Sequence, residues 1–400
     1  MDIDANDLGQ MIIEALSKIK LNTMNIIVVG RSGTGKSTLI NSVFRENLAE
    51  TGIGKPVTNK MSQYTKGGLP LVIYDTKGFE LDKVVQDQVK EEILATIRRG
   101  NASGDVNKAI HCIWYCISTA SNRIEPQEIK WLKELTVENQ KNKVPVPIII
   151  ILTQSFDKNK AREMRKTILA ENLDIVEVIP VLAQDYDLND EYTAKAYGLD
   201  VLIKIMELEL PEPLKDTLQN IQKVSLDTKI QRARAAVKAA TISATAIGAT
   251  PIPISDAALL IPTQVTMIAT ITKLFGINVT RNFVTTLVAS TLGAGGMTIL
   301  GKSVVSGLLK LIPGVGSVVG GAIAATTAGI LTTALGESYI KIMSKIYNGK
   351  MSLDELSNNS GISQMKELFQ QELKTGKNSA DLQNPPPEYA EIEYHPSDSK

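Results

Sequence analysis

The run Gly30, Arg31, Ser32, Gly33, Thr34, Gly35, Lys36, Ser37 fits the pattern GxxxxGK[ST], a P-loop, in which backbone N–H groups wrap a polyphosphate. Its flanks suit that role, with an apolar strand-like stretch from Asn25 to Val29 before it and a helical stretch from Thr38 to Phe44 after it. Glycines at 30, 33 and 35 let successive N–H groups turn inward at a helix N-terminus whose dipole favours anions. Lys36 is placed to reach β- and γ-phosphates, and the Ser37 hydroxyl to ligate Mg²⁺. Residues 30 to 38 together form the phosphate part of a nucleoside triphosphate site. A glycine turn that binds nothing would not need these flanks.

A second acidic motif follows about forty residues later. Pro70 to Asp75 is an apolar run ending in an acid, and Asp75-Thr-Lys-Gly78 has the DxxG form. Asp75 sits at the carboxyl end of a buried strand, where α/β sheets bind nucleotides, and there it would hold Mg²⁺ through water. The Gly78 N–H is placed to bond a γ-phosphate. Between the motifs, Gly52-Ile-Gly-Lys-Pro-Val-Thr58 is a polar loop in which Thr58 either completes the metal shell or is an ordinary loop residue.

GRSGTGKS, KPVT and DTKGF, in this order, resemble the Era and TrmE type of GTPase within the translation-factor-like class, over residues 24 to 210. The resemblance implies GTP as substrate with Mg²⁺, a loose phosphoryl transition state, and Lys36, Thr58 and Gly78 as catalytic residues. Many relatives place glutamine after the DxxG glycine, but here Phe79 follows Gly78. Gly33 stands where potassium-activated members carry asparagine. Slow intrinsic hydrolysis is the implied outcome. For the base, Thr153 and Gln154 after the apolar run Val146 to Leu152 stand for the first two residues of NKxD. The acid arrives one residue late, so Asp157 is either a guanine contact or the N-cap of the next helix. Leu182-Ala183-Gln184 resembles the SAK loop, whose backbone amide at Ala183 would meet guanine O6.

The chain has 400 residues, 43% hydrophobic, with 43 basic and 43 acidic side chains and a net charge of zero. That length suits two or three domains. No basic or aromatic-interleaved patch points to nucleic acid. Two histidines and two cysteines leave no material for a metal cluster or a histidine-based hydrolase. Cys112 and Cys116 would share one face of a strand about 13 Å apart, too far to bridge. Few thiols and the Met1-Asp-Ile-Asp start lead to the expectation of a reducing cytoplasm.

Apolar strands alternate with helices near 36–45, 86–99, 125–136, 159–172 and 197–210. This predicts a doubly wound, mostly parallel α/β sheet of the P-loop GTPase kind, followed by an all-α, apolar, Gly/Ala-rich domain. Residues 1–23 read as an amphipathic helix capping the nucleotide domain, 24–210 as that domain, and 211–238 as a connector helix. Residues 239–374 read as the apolar helical domain, and 375–400 as a polar tail of disordered composition.

Residues 239–336 carry five charges, Asp256, Lys273, Arg281, Lys302 and Lys310. The uncharged run from Leu311 to Gly336 exceeds the roughly 20 residues that a bilayer-spanning helix requires, and Gly316 to Gly320 has GxxxG spacing. A packed soluble domain, a membrane-inserting hairpin and a self-association surface compete here. Pro251-Ile-Pro-Ile-Ser-Asp256 with Ile261-Pro-Thr-Gln264 resembles the domain of unknown function that follows the G domain in a set of bacterial GTPases, which favours membrane association. The expectation is thus a GTP/GDP switch coupled to a membrane-associated helical domain. The alternative is a self-assembling, membrane-remodelling protein of dynamin or immunity-related plan, a homo-oligomer.

Overall fold

The computed structural model describes residues 5–45, 53–56, 61–76, 83–121, 124–189, 192–248, 252–253, 260–291, 322–323, 325–356 and 359–378. It divides into two compact units, Lys20–Lys229 and Met1–Ile19 with Ile230–Lys400.

The first unit is built on a seven-stranded sheet in the order β2-β3-β4-β1-β5-β6-β7. Its strands are β1 (Met24–Val29), β2 (Ile53–Pro56), β3 (Met61–Thr65), β4 (Leu71–Thr76), β5 (Cys112–Ser118), β6 (Ile148–Thr153) and β7 (Glu177–Pro180). Pairing is parallel from β4 through β7 and antiparallel at the β2–β3–β4 edge. All six residues of β1 are buried, as are all six of β6. Both faces of the sheet are covered, which is why these strands read as unbroken apolar runs.

The period-two alternation of strand side chains sorts the core into two clusters. Ile26, Val28, Trp114, Ile149 and Ile151 face one layer, and Ile27, Val29, Tyr115, Ile148 and Ile150 face the other. The first layer is closed by α2 (Lys36–Val43) and, near the end of the unit, α6 (Leu199–Glu209) and α7 (Glu212–Ile221). The second is closed by α3 (Lys83–Ala102), α4 (Pro126–Gln140) and α5 (Lys158–Ala170). A short hairpin, β8 (Tyr186–Asn189) with β9 (Tyr192–Ala194), follows β7 and had no forewarning in the apolar pattern. Cys112 and Cys116 are both buried free thiols, packed in the first layer.

The single connector helix expected over 211–238 is instead two helices, α7 and α8 (Leu226–Gly248). Leu214, Leu218 and Ile221 of α7 belong to the first core layer, so the compact unit runs past residue 210. The break falls at Gln222, whose buried carboxamide accepts from the N–H groups of Val224 and Ser225 at 2.7 and 2.9 Å. Those bonds satisfy the backbone in a turn that a continuous helix would not allow.

In the second unit, α1 (Ala5–Lys18) packs on α9 (Ile261–Phe275) and α10 (Arg281–Thr291). The expected N-terminal cap on the nucleotide domain is therefore part of the helical unit, with Leu8 and Ile12 buried there. Helix α11 (Ala325–Tyr347) packs on α9 and, past the short α12 (Leu353–Leu356), on α13 (Asn359–Asn378). A Cβ at Gly336 would lie 2.5 Å from Val237, so glycine permits the close approach of α8 and α11. Buried hydroxyls pair between α9 and α11, Thr272 with Tyr339 at 2.6 Å. Much of the uncharged run is not described: 292–321 and Ala324, with Pro313 and the Gly316 to Gly320 spacing, lie outside the described residues. Among the described residues no helix is long and apolar enough to cross a membrane.

His111 ties β1 to the loop before β5. Its Nδ1 accepts from the Asn25 N–H at 2.9 Å, and its Nε2 lies 2.9 Å from the Val106 carbonyl. The pair defines a neutral ring with the proton on Nε2, and burial pushes its pKa down to about 4. The unfolded chain therefore binds the proton between about pH 6.5 and 4 while the native chain does not. Stability supplied by this ring is complete above pH 6.5 and lost as pH falls toward 4, on the order of 2 to 4 kcal/mol. Trp114 and Trp131, the only two tryptophans, both lie in the first unit, so urea titrations followed by their fluorescence at pH 7 and pH 4.5 measure the loss. In His111→Gln the difference between the two pH values should shrink.

Candidate nucleotide site

The P-loop lies between the end of β1 and the start of α2, so two buried elements hold its ends. Gly30 has φ +154°, and a Cβ there would meet the Cys116 carbonyl oxygen at 2.6 Å, so glycine is required where the loop crosses β5. Gly33 and Gly35 have φ of +75° and +80°, the left-handed conformation that aims consecutive N–H groups into one concavity. The Thr34 hydroxyl donates to the Arg31 carbonyl at 2.9 Å and closes the loop on itself. Ser37 and Thr38 are exposed at the N-terminus of α2.

Lys36 is turned into the loop, away from solvent. It is 9% exposed, and its Nζ donates to the Gly30 and Arg31 carbonyls at 2.9 and 3.0 Å. The loop's own carbonyls thus hold the ammonium over its centre. Arg31, grouped with the nucleotide contacts on sequence, turns its side chain away. Its guanidinium pairs with the Glu128 carboxylate of α4 at 3.4 Å, and Glu128 also accepts from the Tyr115 hydroxyl at 3.0 Å. Burial pushes the Glu128 carboxyl up, and Arg31 opposes it.

Asp75 is level with Val28 on the neighbouring strand, at the carboxyl end of β4 beside the P-loop. Its Oδ1 is buried with no hydrogen-bond partner among the described residues. Burial pushes its pKa up to about 6, with Lys36 pulling the other way. A buried acceptor without a donor, facing a lysine, fits a carboxylate that a cation or its bound water would satisfy. Ser32, Ser37 and Thr38 are placed at the mouth of the loop by its own geometry, whereas Thr58, Gly78 and Phe79 lie outside the described residues.

Thr153 and Gln154 brace the P-loop from the end of β6. The buried Thr153 hydroxyl donates to the Thr34 carbonyl at 2.6 Å, and the Gln154 amide donates to the Gly33 carbonyl at 3.2 Å while accepting from the Ser118 hydroxyl. Gln154 has φ +53°, an unusual conformation for a residue other than glycine. Asp157 caps α5, its Oδ1 accepting from the N–H groups of Asn159 and Lys160 at 2.8 and 3.2 Å. Of the two readings left open for this acid, the cap is the one its geometry displays. The loop after β7 runs beside this segment, since the Ser155 N–H donates to the Val181 carbonyl at 3.2 Å and the Tyr197 hydroxyl to the Ser155 carbonyl at 3.0 Å. Phe156 and Tyr186, which the sequence reading did not single out, meet at 4.4 Å between ring centres.

A pocket of about 490 Å³ opens next to the P-loop. Ser37, Thr38, Asn41 and Ser42 line it from α2, with Ala183 and Gln184 opposite and Lys223 beside them. Lys223 had no sequence signal, because what brings it here is the isolated bridge between Phe44 and Gln222, residues far apart in the chain.

The sheet, the P-loop and the acid at the end of β4 define the first unit as a P-loop domain of the GTPase fold, followed by a helical region. Residues 20–200 match the family model described as Septin, and residues 214–375 match DUF697, a domain of unknown function. Human neuronal-specific septin-3 is 26% identical over 222 residues, 48% of this chain and 61% of that protein. Human septin-12 is 28% identical over 219 residues, 46% of this chain and 58% of that protein. The chain thus spans about three fifths of the length of these relatives. The solved structure of Era with MgGDPNP and 16S ribosomal RNA nucleotides aligns at 17% identity and a TM-score of 0.30, over 56% of this chain and 68% of that one. The resemblance to the Era and TrmE type is therefore corrected to a septin-type match for the first domain. The later helical domain is the one that the proline-rich segments at 251 to 264 resembled.

Proposed function

We propose that the protein binds GTP and GDP in the first unit and hydrolyses GTP slowly, as a nucleotide-controlled switch. One observation carries this reading: a P-loop whose lysine is held over the loop by two of its own carbonyls, with an unpartnered buried carboxylate beside it. In this reading residues 30 to 38 cradle the phosphates through backbone N–H groups, and Lys36 exchanges its loop carbonyls for phosphate oxygens. Ser37, Asp75 and Thr58 would hold Mg²⁺, directly or through water. The ion supplies neutralisation of the charge on the phosphates. Gly78 would sense the γ-phosphate by its N–H, and Phe79 leaves the attacking water without a glutamine, hence the slow rate.

For the base, we assign guanine recognition to the Asp157 carboxylate oxygen that the cap does not use, with the Ala183 N–H for O6 and Gln184 beside it. Asparagine is as good an N-cap as aspartate. Asp157→Asn is therefore expected to leave the melting temperature within about 1 °C while weakening GTP by roughly 1.5 to 3 kcal/mol, the worth of a charge-assisted bond. Xanthosine triphosphate should gain. Calorimetric titration of both nucleotides against both proteins gives the answer, and an unchanged GTP affinity would reduce Asp157 to a helix cap.

The low charge of residues 239–336 supports coupling of the switch to a membrane through the second unit. Flotation with liposomes in GTP and in GDP tests it, and protein that stays at the bottom of the gradient in both would remove the membrane from the proposal. Self-assembly is the competing outcome, read as specific GTPase activity that climbs with protein concentration.

A further inference from the structure

A nucleotide is a linear object: phosphates, then ribose, then base. The P-loop occupies one end of the site and the Ala183–Gln184 loop the other, and the pocket between them is lined by Ser37, Thr38, Asn41 and Ser42 on one face of α2. If triphosphate enters as proposed above, this interval holds the α-phosphate and the ribose. Its lining from α2 and from Ala183 and Gln184 is uncharged, and among the described residues that line it Lys223 carries the charge. The backbone of Lys223 is pinned. Its N–H donates to the Val43 carbonyl at 2.9 Å, its neighbour Gln222 bridges Phe44, and the buried Gln222 amide donates to the Ser225 carbonyl at 2.7 Å. Its side chain is exposed and forms no ion pair or hydrogen bond among the described residues. An exposed cation whose backbone is pinned at the C-terminal end of α2, and which lines the same pocket as Ser37 and Thr38 at that helix's N-terminus, can reach an anion seated in the pocket.

We propose that Lys223 is a nucleotide contact, its ammonium serving the α-phosphate and ribose portion of the nucleotide held by the P-loop. This rests on the nucleotide reading of the site. Because both GDP and GTP carry an α-phosphate, the contribution is the same for the two, unlike that of Lys36. It reaches the site from the turn after α7, outside the phosphate motif.

Calorimetric titration of GDP and GTP into the full chain and into Lys223→Ala, Lys223→Glu and Lys223→Arg tests this. Lys223→Ala should weaken both nucleotides by the same factor, about tenfold, the scale of one charge-assisted bond in a part-exposed site. Lys223→Glu should weaken both further, and Lys223→Arg should stay within about threefold of wild type, since it keeps the charge. Raising NaCl should weaken the wild type more steeply than Lys223→Ala. Unaltered affinity in both Lys223→Ala and Lys223→Glu, or a loss confined to GTP, would overturn the proposal. If the wild type binds neither nucleotide, the nucleotide reading itself fails. If it binds both, loses them in Lys36→Ala and keeps them in the Lys223 variants, only the role of Lys223 fails. The side chain is exposed, so melting temperatures of the nucleotide-free variants should match the wild type and confirm that each is folded.

Discussion

Lys36→Ala is expected to reduce GTP and GDP affinity by about 30- to 5000-fold, the 2 to 5 kcal/mol lost when one member of a buried, hydrogen-bonded charge pair is truncated. Two effects add. The phosphates lose their lysine, and the Gly30 and Arg31 carbonyls, now without the Nζ that they accept from, point into the concavity that an anion must enter. Stability of the nucleotide-free chain should fall only modestly, because the lost bonds are to loop carbonyls that water can reach once the side chain is gone. Lys36→Arg should not rescue binding, since a planar guanidinium does not fit a site shaped for a compact ammonium. Equilibrium titration of the variant with GDP, beside a circular dichroism melt, reads both quantities. Wild-type affinity in Lys36→Ala would remove the phosphate role from the loop.

The second large effect is on stability. Trp114 is fully buried in the first core layer and stacks on Phe44 at 5.6 Å, the ring planes parallel, just past the C-terminal end of α2. That stack presses the P-loop helix onto β5. Trp114→Ala should cost about 3 to 5 kcal/mol, the transfer and cavity terms for a large aromatic together, and should loosen the seat of α2 as well. Trp114→Phe should recover much of it. Fluorescence of the remaining Trp131 follows urea unfolding of the first unit in the alanine variant, and GDP should protect that transition less than it does in wild type. A midpoint unchanged by Trp114→Ala would mean that the layer tolerates the void.

The parts of this molecule that local chemistry determines were legible before the structure. Ile26 and Val28 fall on one side of β1 and Ile27 and Val29 on the other, yet the strand reads as a single apolar run, which is the mark of a sheet covered on both faces. The P-loop glycines announce positive φ, and Gly33 and Gly35 adopt it. What stayed hidden depends on partners distant in the chain. An amphipathic α1 tells that it has a buried face and not which unit supplies the other half. Helix α7 shows the spacing of a connector, but its Leu214, Leu218 and Ile221 enter the core of the first unit. The resting partners of Lys36 had no signal in the sequence, because they are backbone carbonyls of its own loop, independent of residue type. The cap at Asp157 uses N–H groups for the same reason. Lys223 arrives through the isolated bridge of Gln222 to Phe44, which no periodicity encodes.

The central claim is that the first unit is a guanine nucleotide site. Calorimetric titration of the wild-type chain with GTP, GDP and ATP, each with and without Mg²⁺, meets it most directly. The account predicts one site for GTP and GDP, GTP strengthened by Mg²⁺ through Asp75 and Ser37, and ATP weaker by at least about tenfold, the worth of one specific base contact. Binding of all three with equal affinity would contradict the guanine assignment, and the absence of heat from every one would contradict the site.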